Sequence, residues 1–470
     1  MKLIKTTNKS QRIINILLYS FLCLYFVKID LAIGKTRVYH NIAYTNKKIL
    51  LKQNTVNTHT AKNKINHPGF LMAKSGSNDL SIWSNSFNFA KDGNSEVDPR
   101  TGTLLISMKV GLLRSNFGHG PDIDLEMNYN SAAKGNPDHL GRGWAWNLTH
   151  YNPAIHQLNT AGGKSFFLKQ QPDGSWHPLY HKLKDVIITD DEKGGLVIKS
   201  TNGLQDVLDR DGYEVRMEQQ NGDGVTFKYM PGSHILREIT DDNGHSIWLT
   251  RKSNYLTVTS YNVQGHPVNI RISLENNEMR NIWFPGNSNH QHTANDSGLV
   301  RLSYDTWHNG QNLLTGVHYF TGMEKEFTYD CSHEMKLPDI INNLNPLQPF
   351  ASMCVVKQVR TIPGANQPPM NIDYSYTSTN SNSHDYLGFN AGLTRLTNLK
   401  RDILFEAPAS YTYQTKEDNG QVQTIRTYNK YHLLIDTKTV SDKTNKLLTE
   451  TIIYFCRTDK EDGCANTSFD

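Results

Sequence analysis

From Asp79 onward the apolar residues recur at every second position. Ile123, Leu125 and Met127 alternate with Asp122, Asp124 and Glu126; Val268, Ile270, Ile272 and Leu274 alternate with polar partners; Ile372, Tyr374 and Tyr376 repeat the pattern. A period of two sends successive side chains to opposite faces, so each run predicts a strand with one dry face. Asp-Gly or Asn-Gly begins at positions 92, 173, 202, 211, 221, 223, 243, 309, 419 and 462. Both central residues of a two-residue hairpin turn need positive φ, and these dipeptides supply it. Turn glycines at 224, 244 and 265 recur about every twenty residues between short β-rich runs, which predicts stacked hairpins. The expected fold is all-β: an extended, antiparallel, hairpin-rich sheet. Beyond the N-terminal segment no helical stripe emerges, and only residues 339–343 read as a short helix.

The first 78 residues break this pattern. Lys2, Lys5, Lys9 and Arg12 precede an apolar run from Ile13 to Val27, and Ala32 and Gly34 place small residues at −3 and −1 before Lys35. That is the layout of a cleaved signal peptide over residues 1–34, with an uncleaved anchor as the alternative. The run is short of the roughly 20 residues that cross a bilayer. The expected location is secreted or periplasmic. Residues 35–78 are Asn-, Thr- and Lys-rich without an acid, the composition of a solvated linker. Residues 79–160 then read as an N-terminal β module and 161–470 as a hairpin-repeat segment.

Charge sharpens the division. Residues 1–78 carry thirteen Lys/Arg and one acid, Asp30, leaving 36 Lys/Arg against 44 Asp/Glu in the rest. An acidic body is a poor phosphate-binding surface, so nucleic acid is not an expected partner. Of five cysteines, Cys23 leaves with the signal peptide; Cys331, Cys354, Cys456 and Cys464 remain as candidate disulfide partners. The spacings Cys331–Cys354 and Cys456–Cys464 close the shortest loops, but sequence does not fix the pairing, and free buried thiols are an equal alternative.

Motifs that require fixed spacing each fail at a nameable position. Gly163-Lys164-Ser165 looks like a phosphate loop, but Leu158 stands where its first glycine belongs, and the residues that follow read as a strand. His333-Glu334 would open a zinc-binding helix, but Leu337 replaces the second ligand. His290 and His292 have no assignable third ligand, and Asp209, Asp211 and Gly212 lack calcium-loop spacing and read as a turn. Asp122, Asp124 and Glu126 share one strand face, where a carboxylate pair could do acid–base work; a wet face is the expectation. Trp144 and Trp146 project from one face with Tyr151 nearby, and such a row either stacks on sugar rings or packs a core, with core favoured. No cofactor or metal is expected.

Several of these residues also carry a resemblance. Val97-Asp98-Pro99-Arg100-Thr101-Gly102, Gly120-Pro121-Asp122-Ile123-Asp124-Leu125 leading to Tyr129, and Gly141-Arg142-Gly143-Trp144 leading to Tyr151 resemble the opening of RHS/YD-repeat proteins. These include "sugar-binding" relatives of insecticidal toxin-complex C components. Tyr386-Leu387-Gly388-Phe389 and the run from Arg426 to Leu434 resemble later segments. The resemblance implies a sheet that spirals into a shell holding a toxin. The repeat itself is only approximated, by Tyr261 to His266 and by Tyr329-Asp330, and the family's self-cleavage segment and toxin tip have no counterpart before Asp470. The leading expectation is therefore an exported, non-enzymatic shell segment that houses or delivers a toxin cargo. It would self-associate or join a β-rich partner through an exposed sheet edge. The alternative is a secreted protein that binds carbohydrate or a host surface.

Overall fold

The computed structural model describes the strands within 36–51, then 96–335 apart from 115–119, 134, 155, 162–163, 179–185, 192, 263, 286–297 and 307–311, then 353–378 and 411–455. The signal segment, His290, His292, the 339–343 helix, Tyr386 to Phe389, Cys456 and Cys464 lie outside the described residues.

Every described residue run that forms regular structure forms strands. The main sheet has 24 of them, and its order follows the chain from His150–Asn152 to Lys446–Phe455, each strand antiparallel to the one before. Thr36–His40 adds beyond the last strand, pairing with it in parallel. Three short strands, Thr36–His40, Ile42–Thr45 and Lys48–Leu51, thus lie inside the segment whose composition read as a linker. Among the described residues the sheet stays open, with no barrel closure.

The period-two runs account for the inner face. Ile247, Leu249, Leu256, Val258, Ile270 and Ile272 are buried, while Trp248 and Tyr261 point outward and are exposed. The inner face closes over a separate three-stranded sheet, Leu105–Leu113, Ile123–Asn130 and Trp144–Trp146. Val110, Leu125, Met127, Tyr129 and Trp144 of this inner module share one core with the surrounding strands. A second core, built from Leu158, Phe166, Ile188, Ile198 and Leu208 among others, fills the first strands of the main sheet.

Among the described residues turns fall at the dipeptides, with Gly174, Gly203, Gly212, Gly222, Gly244 and Gly420 at positive φ. The Asp or Asn before each glycine is not, so these are not the two-residue turns expected. Gly212 N–H donates to Asp209 O and Asp209 N–H to Tyr213 O, a longer turn in which only the glycine is left-handed. The dipeptides at 92, 309 and 462 lie outside the described residues. Asp223-Gly224 is the exception. In the tandem Asn221-Gly222-Asp223-Gly224 the first pair makes the turn, and Gly224 already opens the strand Gly224–Tyr229.

The far strands differ. Leu434–Ser441 has no fully buried residue, and Leu447 and Leu448 on the last strand are exposed.

Candidate functional site

The residues that carry the sequence resemblance fasten the inner module to the sheet at three places. At the first, Asp98 and Arg100 form a buried ion pair at 3.2 Å, and the Asp98 carbonyl accepts from the Gly102 amide. The Gly102 carbonyl in turn accepts from Val356 N–H at 2.8 Å, on the strand Met353–Ile362. Burial pulls the Arg100 pKa down, but the charge and hydrogen bond of Asp98 outweigh it and the net shift is upward. Tyr413 and Tyr428 lie near enough to act on that charge. Glu96 pairs with Lys325 beside this turn.

At the second, Arg142 N–H donates to Asn277 O at 2.9 Å, and Asn136 and Asn277 bond through their amides. Gly141 has φ +105, and a Cβ there would sit 2.8 Å from Met279 N, so the hairpin tip can approach only a glycine. Arg251 reaches in from the sheet to the carbonyls of His139 and Asp138. A cavity of about 280 Å³ remains between Asn136, His139, Arg251 and Asn277.

The third place is a tyrosine cluster. Tyr129 OH donates to Asn312 O and accepts from Leu314 N–H, both at 2.8 Å, and the Trp144 indole donates to Tyr304 OH at 2.8 Å. Burial pushes Tyr129, Tyr304 and Tyr329 above the ordinary phenol range. These hydroxyls stay neutral and serve as hydrogen-bond pins.

Trp144 and Trp146, 1% and 4% exposed, therefore lie inside the shared core. Stacking on a sugar requires an exposed ring face. Tyr151 belongs to the second core, with its hydroxyl 2.7 Å from His156 Nδ1 and burial pushing its pKa up to about 12. The sequence row of three aromatics is thus divided between two cores. Cys331 and Cys354 are joined in a disulfide across neighbouring strands.

The remaining motif candidates resolve into structure. Lys164 sits in a turn with Thr160, and Ser165–Gln170 is the strand its residues predict. His333 and Glu334 fall within the strand Glu324–Met335 rather than on a helix. Asp209, Asp211 and Gly212 form a turn, with Asp209 Oδ1 accepting from the Asp211 and Tyr213 amides. Asp124 meets Lys109 and Arg114 at a solvated rim. Glu126 departs from the wet-face expectation: it is buried and accepts from Ser107 and Asn147. The later motif is a turn as well, in which Asn429 Oδ1 caps Tyr431 and Leu433, and His432 is buried 2.9 Å from Tyr413 OH. Among the described residues no group of three or more His, Cys, Asp or Glu is placed to hold a metal.

The arrangement defines an all-β scaffold with a fastened interior. No family model matches the chain, and no curated protein matches it. Among solved structures it is similar to TcdB2-TccC3 without the hypervariable C-terminal region, at 10% identity over 70% of this chain, with TM-score 0.16. It is also similar to TcdB2-TccC3 itself, at 8% identity over 75% of this chain with TM-score 0.14. A third is the Photorhabdus luminescens Tc holotoxin pore with the TccC3-D651A mutation, at 12% identity over 75% with TM-score 0.16. The chain spans 24%, 21% and 18% of those chains. Scores this low carry no argument of their own.

Proposed function

We propose that the chain is a non-enzymatic β scaffold, an exported segment of an RHS-like shell that houses or delivers a toxin within a larger assembly. One observation carries this reading. The motif residues that could have marked a chemical site instead hold the inner module to the sheet: Gly102, in the turn built on the Asp98–Arg100 pair, meets Val355, Val356 and Tyr376, and Trp144 and Tyr129 meet Tyr304 and Leu314. Residues spent on fastening give no convergent reactive set. Leu447 and Leu448 are exposed on the last long strand, in the stretch before Thr451 that Thr36–His40 does not cover, and this favours a β-rich partner or a second copy there.

Light scattering on the purified protein across micromolar concentrations tests the reading, together with glycan-array and hydrolase, transferase and nucleotidase panels. We expect species above the monomer mass and blank panels. A monodisperse monomer with turnover lost on a single polar substitution would overturn the proposal, and specific glycan capture would favour the carbohydrate-binding alternative.

A further inference from the structure

At the start of the main sheet's antiparallel run, His150–Asn152 has one ladder neighbour among the described residues, Gln157–Asn159. Its other side is stitched to the turn at Asp209–Tyr213: His150 bridges Tyr213, and Tyr151 N–H donates to Gly212 O at 2.8 Å. Just before that strand, Thr149 is held by two carboxyls of the neighbouring hairpin. Its amide donates to Glu214 Oε2 at 2.8 Å, and its hydroxyl donates to Asp206 Oδ2 at 2.9 Å.

Glu214 is fully buried, and its Oε1 has no hydrogen-bond partner. Among the described residues neither Glu214 nor Asp206 forms an ion pair with a lysine, arginine or histidine. The titratable groups around them bring no compensating charge. Tyr229 donates its hydroxyl to the Glu214 carbonyl from the strand Gly224–Tyr229. Tyr213, on the turn, stacks on His234, whose Nε2 faces Asp211, and makes an edge contact with His150. Asp209 and Asp138 add negative charge near Tyr229, and Arg216 is engaged by Glu218 and Asp242.

We propose that this carboxyl pair is a pH-dependent latch: while protons neutralise Glu214 and Asp206 the edge strand stays fastened through Thr149, and ionisation of both releases it. Two like charges in a buried seam without a cation cannot both be accommodated. Burial acts in that direction on both groups. It raises Asp206 to about 6 against the Thr149 hydrogen bond, and it raises Glu214 well above the usual carboxylate range, with the Asp206 charge adding to it. Because the folded values lie above the unfolded ones, the contribution to stability is full below about pH 4, where both states are protonated, and is lost as pH rises through 6 and beyond. The latch tightens in acid and loosens toward neutral and alkaline pH. Release would free one side of a sheet edge, where a partner strand could pair.

The test is hydrogen exchange across residues 148–153, corrected for intrinsic pH dependence, in the wild type and in Glu214→Gln with Asp206→Asn. We expect protection in the wild type to fall at least tenfold between pH 5 and pH 8, and to stay flat in the double variant. Equal pH slopes in the two proteins would overturn the latch. If the double variant does not fold, infrared spectroscopy of the wild type decides: a buried protonated carboxyl band present at pH 5 that fades between pH 5 and pH 8 together with the protection supports the proposal, and a band absent at pH 5 or unchanged up to pH 8 overturns it.

Discussion

Glycines that look alike in sequence do different jobs here, and the difference is measurable. Gly212 and Gly244 both follow an acid or amide in a hairpin turn, with φ +87 and +90. At Gly244 nothing lies within 4 Å of an added Cβ, whereas at Gly212 that carbon would sit 1.7 Å from the Tyr151 carbonyl oxygen. Gly244→Ala should therefore lose only the left-handed backbone penalty of about 1–2 kcal/mol. Gly212→Ala should lose about 3 kcal/mol or more, because the stitched strand must also move away. Denaturant midpoints for the two variants check this, and equal losses would remove Gly212 from the seam. The Asp-Gly and Asn-Gly dipeptides mark both positions as turns; Tyr151, 61 residues back in the chain from Gly212, leaves no local trace.

At the level of strands and hairpins, period two was enough to find Ile123–Asn130, Pro267–Glu275 and Met370–Ser378, because alternation is a local property of the backbone. What each strand packs against was not legible. Tyr129 meets Leu314 across 185 residues and Trp144 meets Tyr304 across 160, and no spacing rule reaches that far. The same limit explains Glu126, whose alternation with apolar neighbours places it on the opposite face but does not reveal that this face is covered. Cysteine pairing was equally open until Glu324–Met335 and Met353–Ile362 proved to be neighbours. The bond between Cys331 and Cys354 spans 23 residues, and reducing it should lower stability by about 2–4 kcal/mol. Unfolding with and without reductant reads this directly, with Cys331→Ser/Cys354→Ser as the control that must be insensitive to reductant.

For the whole molecule, the inner module and the sheet each supply part of the larger core. Deleting residues 96–148 should expose Val225, Phe227, Ile247, Val258 and Ile272 together, a patch far larger than soluble proteins leave open. Strong binding of a hydrophobic dye, or loss of the soluble protein, is the expected result; a soluble variant that leaves the dye dark would separate the two bodies. The arrangement also fixes an order in time. A chain is made from its N-terminus, and Trp146 precedes every strand of the wrapping sheet except Thr36–His40. The module is thus synthesised before most of its cover, so that each new hairpin emerges with the residues it packs against already made, much as a strip is wound on a mandrel. Curvature of the finished sheet would then be inherited from what it was wound on.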